Sequence, residues 1–242
     1  MSSSRLDKII CDSGIATRSE ARELIVTGRV RVNGIAETHV DIKIDLDLAE
    51  ICVDGKVING NKFRYFMLYK PEGVLTATED RDQTTVLDIL PEELRRLKLF
   101  PVGRLDKDTT GLLILTNDGE FGHNVTSPKR HIKKLYEFTV AGELSSEDTE
   151  AFKAGITLRD GTECLPASLE IDEDNKSHGW VSIYEGKYHQ VKRMLASREK
   201  PVEKLKRLAI GQLRLDEKMK PGDFREIDEN DRRMVLNEKF TN

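Results

Sequence analysis

Within residues 103–119, GRLDKDTTGLLILTNDG, one carboxylate, Asp106, stands in a polar loop just ahead of an apolar run, Leu112 to Leu115. A loop carried on a rigid strand is where a reactive group is both fixed and accessible. An Asp held this way serves as a nucleophile, a general base or a metal ligand, or simply as a turn residue that bonds its own backbone. A second reactive stretch is Glu185-Gly-Lys-Tyr-His-Gln-Val-Lys-Arg-Met194, a glycine turn that opens a basic helix. A third is Lys133-Lys134-Leu135-Tyr136-Glu137-Phe138, in which Tyr136, Phe138 and Val140 fall on one face of a strand.

The elements that must hold these groups follow from periodicity and turn chemistry. Leu112–Leu115, bounded by Gly111 and by Asn117-Asp118-Gly119, predicts a buried strand that ends in a turn. Arg64–Tyr69, Tyr136–Val140, Leu165–Ile171 and Trp180–Ile183 predict further strands, and helices are expected over Glu92–Leu97, near Ser145–Ala154 and over Gln190–Arg198. Strands and helices mix without regular alternation, so the expected class is α+β with a mostly antiparallel sheet.

The first sixty residues have a different texture. Leu6, Ile9 and Ile10 share one side of a short helix closed by Gly14, and Thr17-Arg-Ser-Glu20 is a capping-box pattern. The helix it opens buries Ala21, Leu24 and Ile25 and stops at Gly28; Val30-Arg31-Val32 alternates like a strand, and Asn33-Gly34 and Asp54-Gly55 signal hairpin turns. Asn59-Gly60-Asn61 is the expected boundary, giving domains of about 1–59 and 62–242.

The chain has 242 residues and a formal charge of −4, which by itself argues against a nucleic-acid partner. The distribution argues otherwise: Lys187–Arg207 holds eight Lys/Arg against two Glu, and Lys129, Arg130, Lys133 and Lys134 crowd one acid-free window. A basic face on an acidic protein engages a polyanion without general stickiness. Cys11, Cys52 and Cys164 lie far apart with no Cys-x-x-Cys pair, which fits a reducing cytosol rather than a disulfide framework or zinc site. No run approaches the roughly 18 apolar residues of a membrane span, and the N-terminus has no export-type apolar stretch, so a cytoplasmic location is expected.

The N-terminal unit resembles the alpha-L RNA-binding motif of ribosomal-protein-S4-like domains, through Arg5-Leu6-Asp7-Lys8, Arg18, Ala21, Ile25, Gly28, Val30 and Val32-Asn33-Gly34. It displays Arg18, Arg22, Arg29 and Arg31, whose guanidinium groups suit phosphates. Farther on, GRLDKDTTGLLILTNDG, the Lys-x-Tyr element and EGKYHQVKRM are similar to the three motifs of the RsuA family of pseudouridine synthases, and RYFMLYKPEGVLTA to the segment that opens that family's catalytic domain. The Tyr188-His189-Gln190 version of the third motif is similar to the branch acting on small-subunit ribosomal RNA.

The resemblance implies an enzyme that breaks the N1–C1′ bond of a flipped-out uridine and rejoins C5 to C1′. It implies Asp106 as the catalytic carboxylate, Lys192 as its basic partner where relatives are expected to carry Arg, and Tyr136 stacked on the base, unless Tyr136 is a core residue beside Phe138. Arg104 would displace the base or hold its phosphate. Lys129, Arg130, Lys133, Lys134, Lys187, Gln190 and Arg193 would grip RNA backbone. No cofactor and no metal are implied; the partner would be ribosomal RNA or a small-subunit assembly intermediate, and the enzyme a monomer. Two rivals remain: an inactive RNA-binding or ribosome-assembly protein of the same fold, and a phosphatase, since Asp106-Lys-Asp108-Thr-Thr110 also spells the D-x-D-x-T motif of haloacid-dehalogenase-like enzymes, although there the apolar strand precedes the motif.

Overall fold

The capping box forms as expected. In the computed structural model, which describes residues 3–45, 49–58 and 63–236, the Glu20 amide donates to Thr17 Oγ1 (3.4 Å) and the Thr17 amide to Glu20 Oε2 (2.7 Å). Chain contacts resolve two units, one drawn from residues up to Arg64 together with Leu90–Leu99, the other from Tyr65–Ile89 and from Phe100 onward. The expected boundary at Asn59-Gly60-Asn61 lies outside the described residues.

The first unit runs β1 (Ser3–Arg5), α1 (Leu6–Asp12), α2 (Arg18–Val26), β2 (Val30–Val32), β3 (Ile35–Ala36), β4 (Lys43–Asp45), β5 (Ile51–Val53) and β6 (Lys56–Val57), and takes in α3 (Glu92–Arg95). Leu6, Ile9 and Ile10 of α1 pack with Ala21 and Ile25 of α2 and with Val30, Ile51 and Val53. Asn33-Gly34 and Asp54-Gly55 both carry paired positive φ angles (50° and 80°, 50° and 79°), the geometry that matches strand twist in two-residue hairpins. They close β2 on β3 and β5 on β6 in a sheet ordered β3-β2-β5-β6. The helix expected over residues 92–97 shortens to four residues and joins this unit, where a Cβ on Gly14 would stand 2.7 Å from Glu93 O.

The second unit contains β7 (Tyr65–Lys70), β8 (Phe100–Val102), β9 (Thr110–Thr116), α4 (Gly119–Thr126), β10 (Lys134–Val140), α5 (Ser146–Ala154), β11 (Ser168–Ile171), β12 (His178–Ile183), α6 (Gln190–Ser197), β13 (Val202–Ile210), β14 (Leu213–Arg214), β15 (Phe224–Glu226) and α7 (Glu229–Leu236). Its sheet is ordered β11-β12-β10-β13-β9-β7-β15, with β14 on β13 and β8 on β9. Every pairing of these named strands is antiparallel except β13 with β9, which run parallel. The α+β class with a mostly antiparallel sheet is therefore what forms. Leu112–Leu115 are wholly buried, and Met67, Val102, Ile114, Phe121 and Ile210 continue their core.

Three sequence expectations are corrected here. Asn117-Asp118-Gly119 does not simply turn: Asp118 caps α4, its Oδ1 accepting from the amides of Glu120 (3.0 Å) and Phe121 (3.1 Å). The strand expected from Leu165 starts at Ser168, because Pro166 cannot donate to a ladder. Lys187–Arg207 is not one basic face, since it divides between α6 and β13 and turns Arg207 inward, 3% exposed.

The parallel contact of β9 and β13 is short, pairing Thr110 with Lys206 and Gly111 with Arg207. It depends on Gly111, which has φ +107°; a Cβ there would lie 2.3 Å from Arg207 O and 2.6 Å from Arg207 N. Gly111→Ala is therefore expected to destabilise the second unit by about 3 kcal/mol, from strained φ and steric displacement together. Urea unfolding measures this, and an unchanged midpoint would show that the strands do not need the missing side chain.

Candidate active site

The loop that carries Asp106 joins β8 to β9, two antiparallel neighbours, so a strand precedes it as well as follows it. Its backbone is held from beneath. Lys70, at the end of β7 and wholly buried, donates from Nζ to Pro71 O (2.9 Å), Lys107 O (3.2 Å) and Thr109 O (2.9 Å). Thr76 Oγ1 donates to Leu105 O (2.7 Å), and the Thr109 amide donates to Asp106 O (3.1 Å). Burial pushes the Lys70 ammonium down to about 8, against the pull of Asp108 and Asp106.

Asp106 faces a cavity of about 700 Å³. Its Oδ2 lies 3.1 Å from Lys192 Nζ, and its Oδ1 3.3 Å from His189 Nε2. Lys192, on α6, also bonds Asp108. Burial pushes its ammonium down, but the hydrogen bonds to Asp108 and Asp106 outweigh this and leave its pKa above the ordinary lysine value. The same bond holds the Asp108 carboxyl below its usual range. His189 sits just ahead of α6 with φ +47°, an uncommon left-handed conformation that histidine adopts more readily than bulky residues. Tyr188, 75% exposed, stacks on the His189 ring with centroids 3.8 Å apart.

The opposite wall is the sheet. Residues paired across an antiparallel ladder point to the same side. Tyr136 pairs with Arg207, and Lys134 with both Ile210 and Ile183. A register shift between Leu135 and Tyr136 lets Arg207 and Ile210 face the same way, as bulges re-aim side chains. All five residues line the cavity. Arg207 donates from Nε to Leu112 O (2.7 Å) and from Nη1 to the Tyr136 hydroxyl (3.5 Å). Burial, and then the neighbouring Arg207, push the Lys134 ammonium down to about 8.

Seven residues named from the sequence thus line one cavity: Asp106, Lys192, Tyr136, Lys134, Lys187, Gln190 and Arg104, the last exposed at its edge with no partner among the described residues. Tyr136 is at once core and site, 8% exposed yet on the cavity wall. Gln190 is a correction. It is 4% exposed and lines the cavity, donating to Glu185 Oε1 (2.8 Å) and accepting from the Lys187 amide (3.0 Å), so it braces the turn instead of standing on an outer basic surface. Lys134 is another, because it faces the cavity instead of joining an outer basic patch. Lys187 pairs with Glu185 (3.0 Å) and Arg193 with Asp160, while Arg130 donates to Asn124 (3.1 Å) and Lys129 is exposed. Lys133 is half-buried.

In the first unit, Arg18 and Arg22 reach Asp7 Oδ2 at 3.6 and 3.4 Å, and Arg5 joins them at 3.0 Å. Burial raises the Asp7 carboxyl, but these arginines outweigh it and hold the group below its ordinary value. Arg29 is bound to Asp54, and Arg31 donates to Gly34 O (3.1 Å).

Lys70 and His189 have site positions that the sequence reading did not assign. Their signals were a lysine ahead of a proline at a strand end, and a histidine three residues before Lys192. The Lys70 placement has a pH consequence. The unfolded chain keeps that proton up to about 10.5 while the folded unit releases it near 8, so stability rises with pH across that window. Lys134 contributes in the same direction. Lys70→Met should flatten the rise, measured by urea unfolding at several pH values; an unaltered slope would mean that Lys70 keeps its proton.

Residues 64–197 match the family described as RNA pseudouridylate synthase, and residues 4–43 match the S4 domain. An RNA pseudouridine synthase of Bacillus subtilis, YtzG, described as uncharacterized, is 40% identical over 94% of this chain and 96% of its own. The ribosomal small subunit pseudouridine synthase A of Vibrio vulnificus is 40% identical over 91% of this chain and 94% of its own. A crystal structure of a pseudouridylate synthase superposes with a TM-score of 0.68 at 35% identity, covering 96% of this chain and 99% of that one. The chain belongs to the RNA pseudouridylate synthase family, as a member with an N-terminal S4 domain.

Proposed function

We propose that this pseudouridine synthase isomerises a uridine of small-subunit ribosomal RNA, with Asp106 as the catalytic carboxylate. The observation that carries the assignment is Asp106 itself, held between Lys192 and His189 and facing a cavity of about 700 Å³, roomy enough to admit a base. The small-subunit synthases of Vibrio among its relatives support the choice of RNA.

The cavity suits one base taken out of its stack. A stacked uridine does not offer both C1′ and C5 to a single carboxylate, so the target must be flipped. Tyr136 on the wall receives the ring, Arg104 at the edge takes the place the base has left or its phosphate, and Lys192 supplies the counter-charge that a carboxylate needs in a partly dry site. Residues 1–59 act as the RNA-binding domain and 62–242 as the catalytic one. One chain supplies Asp106, Lys192 and Tyr136, so a monomer suffices. A free transcript or an assembly intermediate in the cytoplasm is the partner. No helix among the described residues is long and apolar enough to cross a membrane.

Asp106→Asn keeps the shape and removes the charge. The variant should fold and bind RNA but make no pseudouridine, scored by pseudouridine-specific chemical labelling of a small-subunit rRNA transcript. A residual rate above about one hundredth of wild type would exclude Asp106 as the catalytic group.

The arginines of the first unit should supply affinity and not rate, because uniform binding leaves the barrier of the bound complex unchanged. Arg18→Gln with Arg22→Gln should weaken RNA binding and flatten its salt dependence by roughly one log–log unit per lost phosphate contact. It also strips two partners from buried Asp7, so thermal unfolding of the variant must be followed alongside. An unchanged affinity and salt slope in a folded variant would remove this surface from RNA recognition.

A further inference from the structure

The cavity wall opposite Asp106 carries more positive charge than the site uses. Arg207 is 3% exposed, and its Nη2 meets no acceptor among the described residues. Lys134 faces the same cavity, and its side chain makes no hydrogen bond among the described residues. Glu185 is the acid near it, and that carboxylate is occupied: Oε1 accepts from the Leu165 amide (2.9 Å) and Gln190 (2.8 Å), and Oε2 pairs with Lys187 (3.0 Å). Of the other carboxylates at or beside the cavity, Asp106 and Asp108 are both engaged by Lys192, and Asp80 accepts through Oδ1 from the amides of Asp82 (3.0 Å) and Gln83 (2.9 Å). Two cations, Arg207 buried and Lys134 half-buried, thus share one wall with no ion-pair partner of their own among the described residues. A buried N–H or charge left this way costs free energy unless something that enters the cavity supplies the acceptor.

The reaction supplies one. When N1–C1′ breaks, both bonding electrons stay on the base. Before C5 bonds to C1′, uracil carries a negative charge spread over N1, O2 and O4. The cycle closes when C5 loses its proton and N1 gains one, so no external oxidant or reductant enters. Where the carboxylate attacks C1′ or takes the 2′ proton, the free ring carries this charge on the way; where it adds at C6, the C5–C6 bond is saturated and the charge left by cleavage stays on N1 and O2. Resting on the assignment of Asp106 above, we propose that Arg207 and Lys134 form an anion subsite that receives the uracil oxygens and holds the departing base while it turns from N1 to C5. Their positions are set before reaction, Arg207 by its bond to Leu112 O and by pairing with Tyr136 and Gly111, Lys134 by pairing with Ile210 and Ile183. Donors fixed in advance toward developing charge stabilise a transition state more than donors that must reorganise. The depressed Lys134 ammonium, pushed to about 8 by burial and by Arg207, is what a cation awaiting a counter-charge shows.

The test is leaving-group dependence. Single-turnover rates of N1–C1′ cleavage are measured for wild type, Lys134→Met and Arg207→Lys on small-subunit rRNA transcripts made with uridine or with 5-fluorouridine. Loss of the original nucleoside is scored after nuclease digestion. Fluorine stabilises the uracil anion, so a protein that has lost part of its anion subsite has less to make up. With uridine, each variant should fall about 100-fold at saturating RNA with KM little changed, the usual size for loss of one such donor. With 5-fluorouridine, the deficit should shrink at least tenfold. Equal deficits on both RNAs, or a deficit confined to KM, would overturn the proposal and leave the pair as a structural or backbone-phosphate contact. If Arg207→Lys fails to fold by thermal melting, Lys134→Met decides. A wild-type chain that converts no uridine overturns the small-subunit assignment and this one with it; normal wild-type conversion with undiminished deficits overturns the anion subsite alone.

Discussion

The sheet of the synthase unit is two antiparallel sets joined along one short parallel contact, and the cavity that Asp106 faces lies beside that join. On one side β9 carries the loop of Asp106; on the other β13 and β10 carry Arg207, Tyr136 and Lys134. The approach that joins them is possible because residue 111 has no side chain. A carboxylate and its facing cations are thus brought together by backbone packing, not by attraction between them. The geometry of a partly dry, charged site needs this kind of support, because charges in such a place gain only when their positions are imposed on them.

The charges are sorted by wall. Lys192 answers Asp106 and Asp108 together and still leaves that wall one negative charge in excess, whereas Lys134 and Arg207 keep a positive excess on the sheet. Lys70 sits outside this exchange. Its three carbonyl partners make it a strut for the loop, and its buried ammonium adds to the positive field under Asp106 without touching it. His189 is tied to both requirements, since its left-handed backbone aims the ring at Asp106 while its other surface supports an exposed tyrosine.

Local signals in the sequence were strong where the structure is local. The Thr17–Glu20 box, both two-residue turns and the apolar β9 form as expected, and the motif segments do converge on one cavity. Non-local features escaped. Arg207 reads as one more cation in a basic run, and nothing nearby in sequence says that a bulge and a distant glycine turn it inward. Gln190 reads as a polar helix residue on a basic face, and its burial depends on Glu185, which the motif contains but does not orient. Asp118-Gly119 carries a turn signature, but an Asp just ahead of an apolar-faced helix uses the same side-chain acceptor as a cap. Periodicity also missed β13, whose alternating lysines disguise a strand as a charged surface.

The first unit is not continuous in sequence: Leu90–Leu99 returns to it after β7 has already begun the second. Gly14 backs directly onto Glu93 and Leu97, and Arg96 approaches Glu20 of the capped helix. An RNA-binding module of this kind cannot be exchanged as a single cassette, because an excised N-terminal piece would leave behind the residues that cover its own glycine. A swap between family members that kept this packing would have to carry two separated stretches of gene at once.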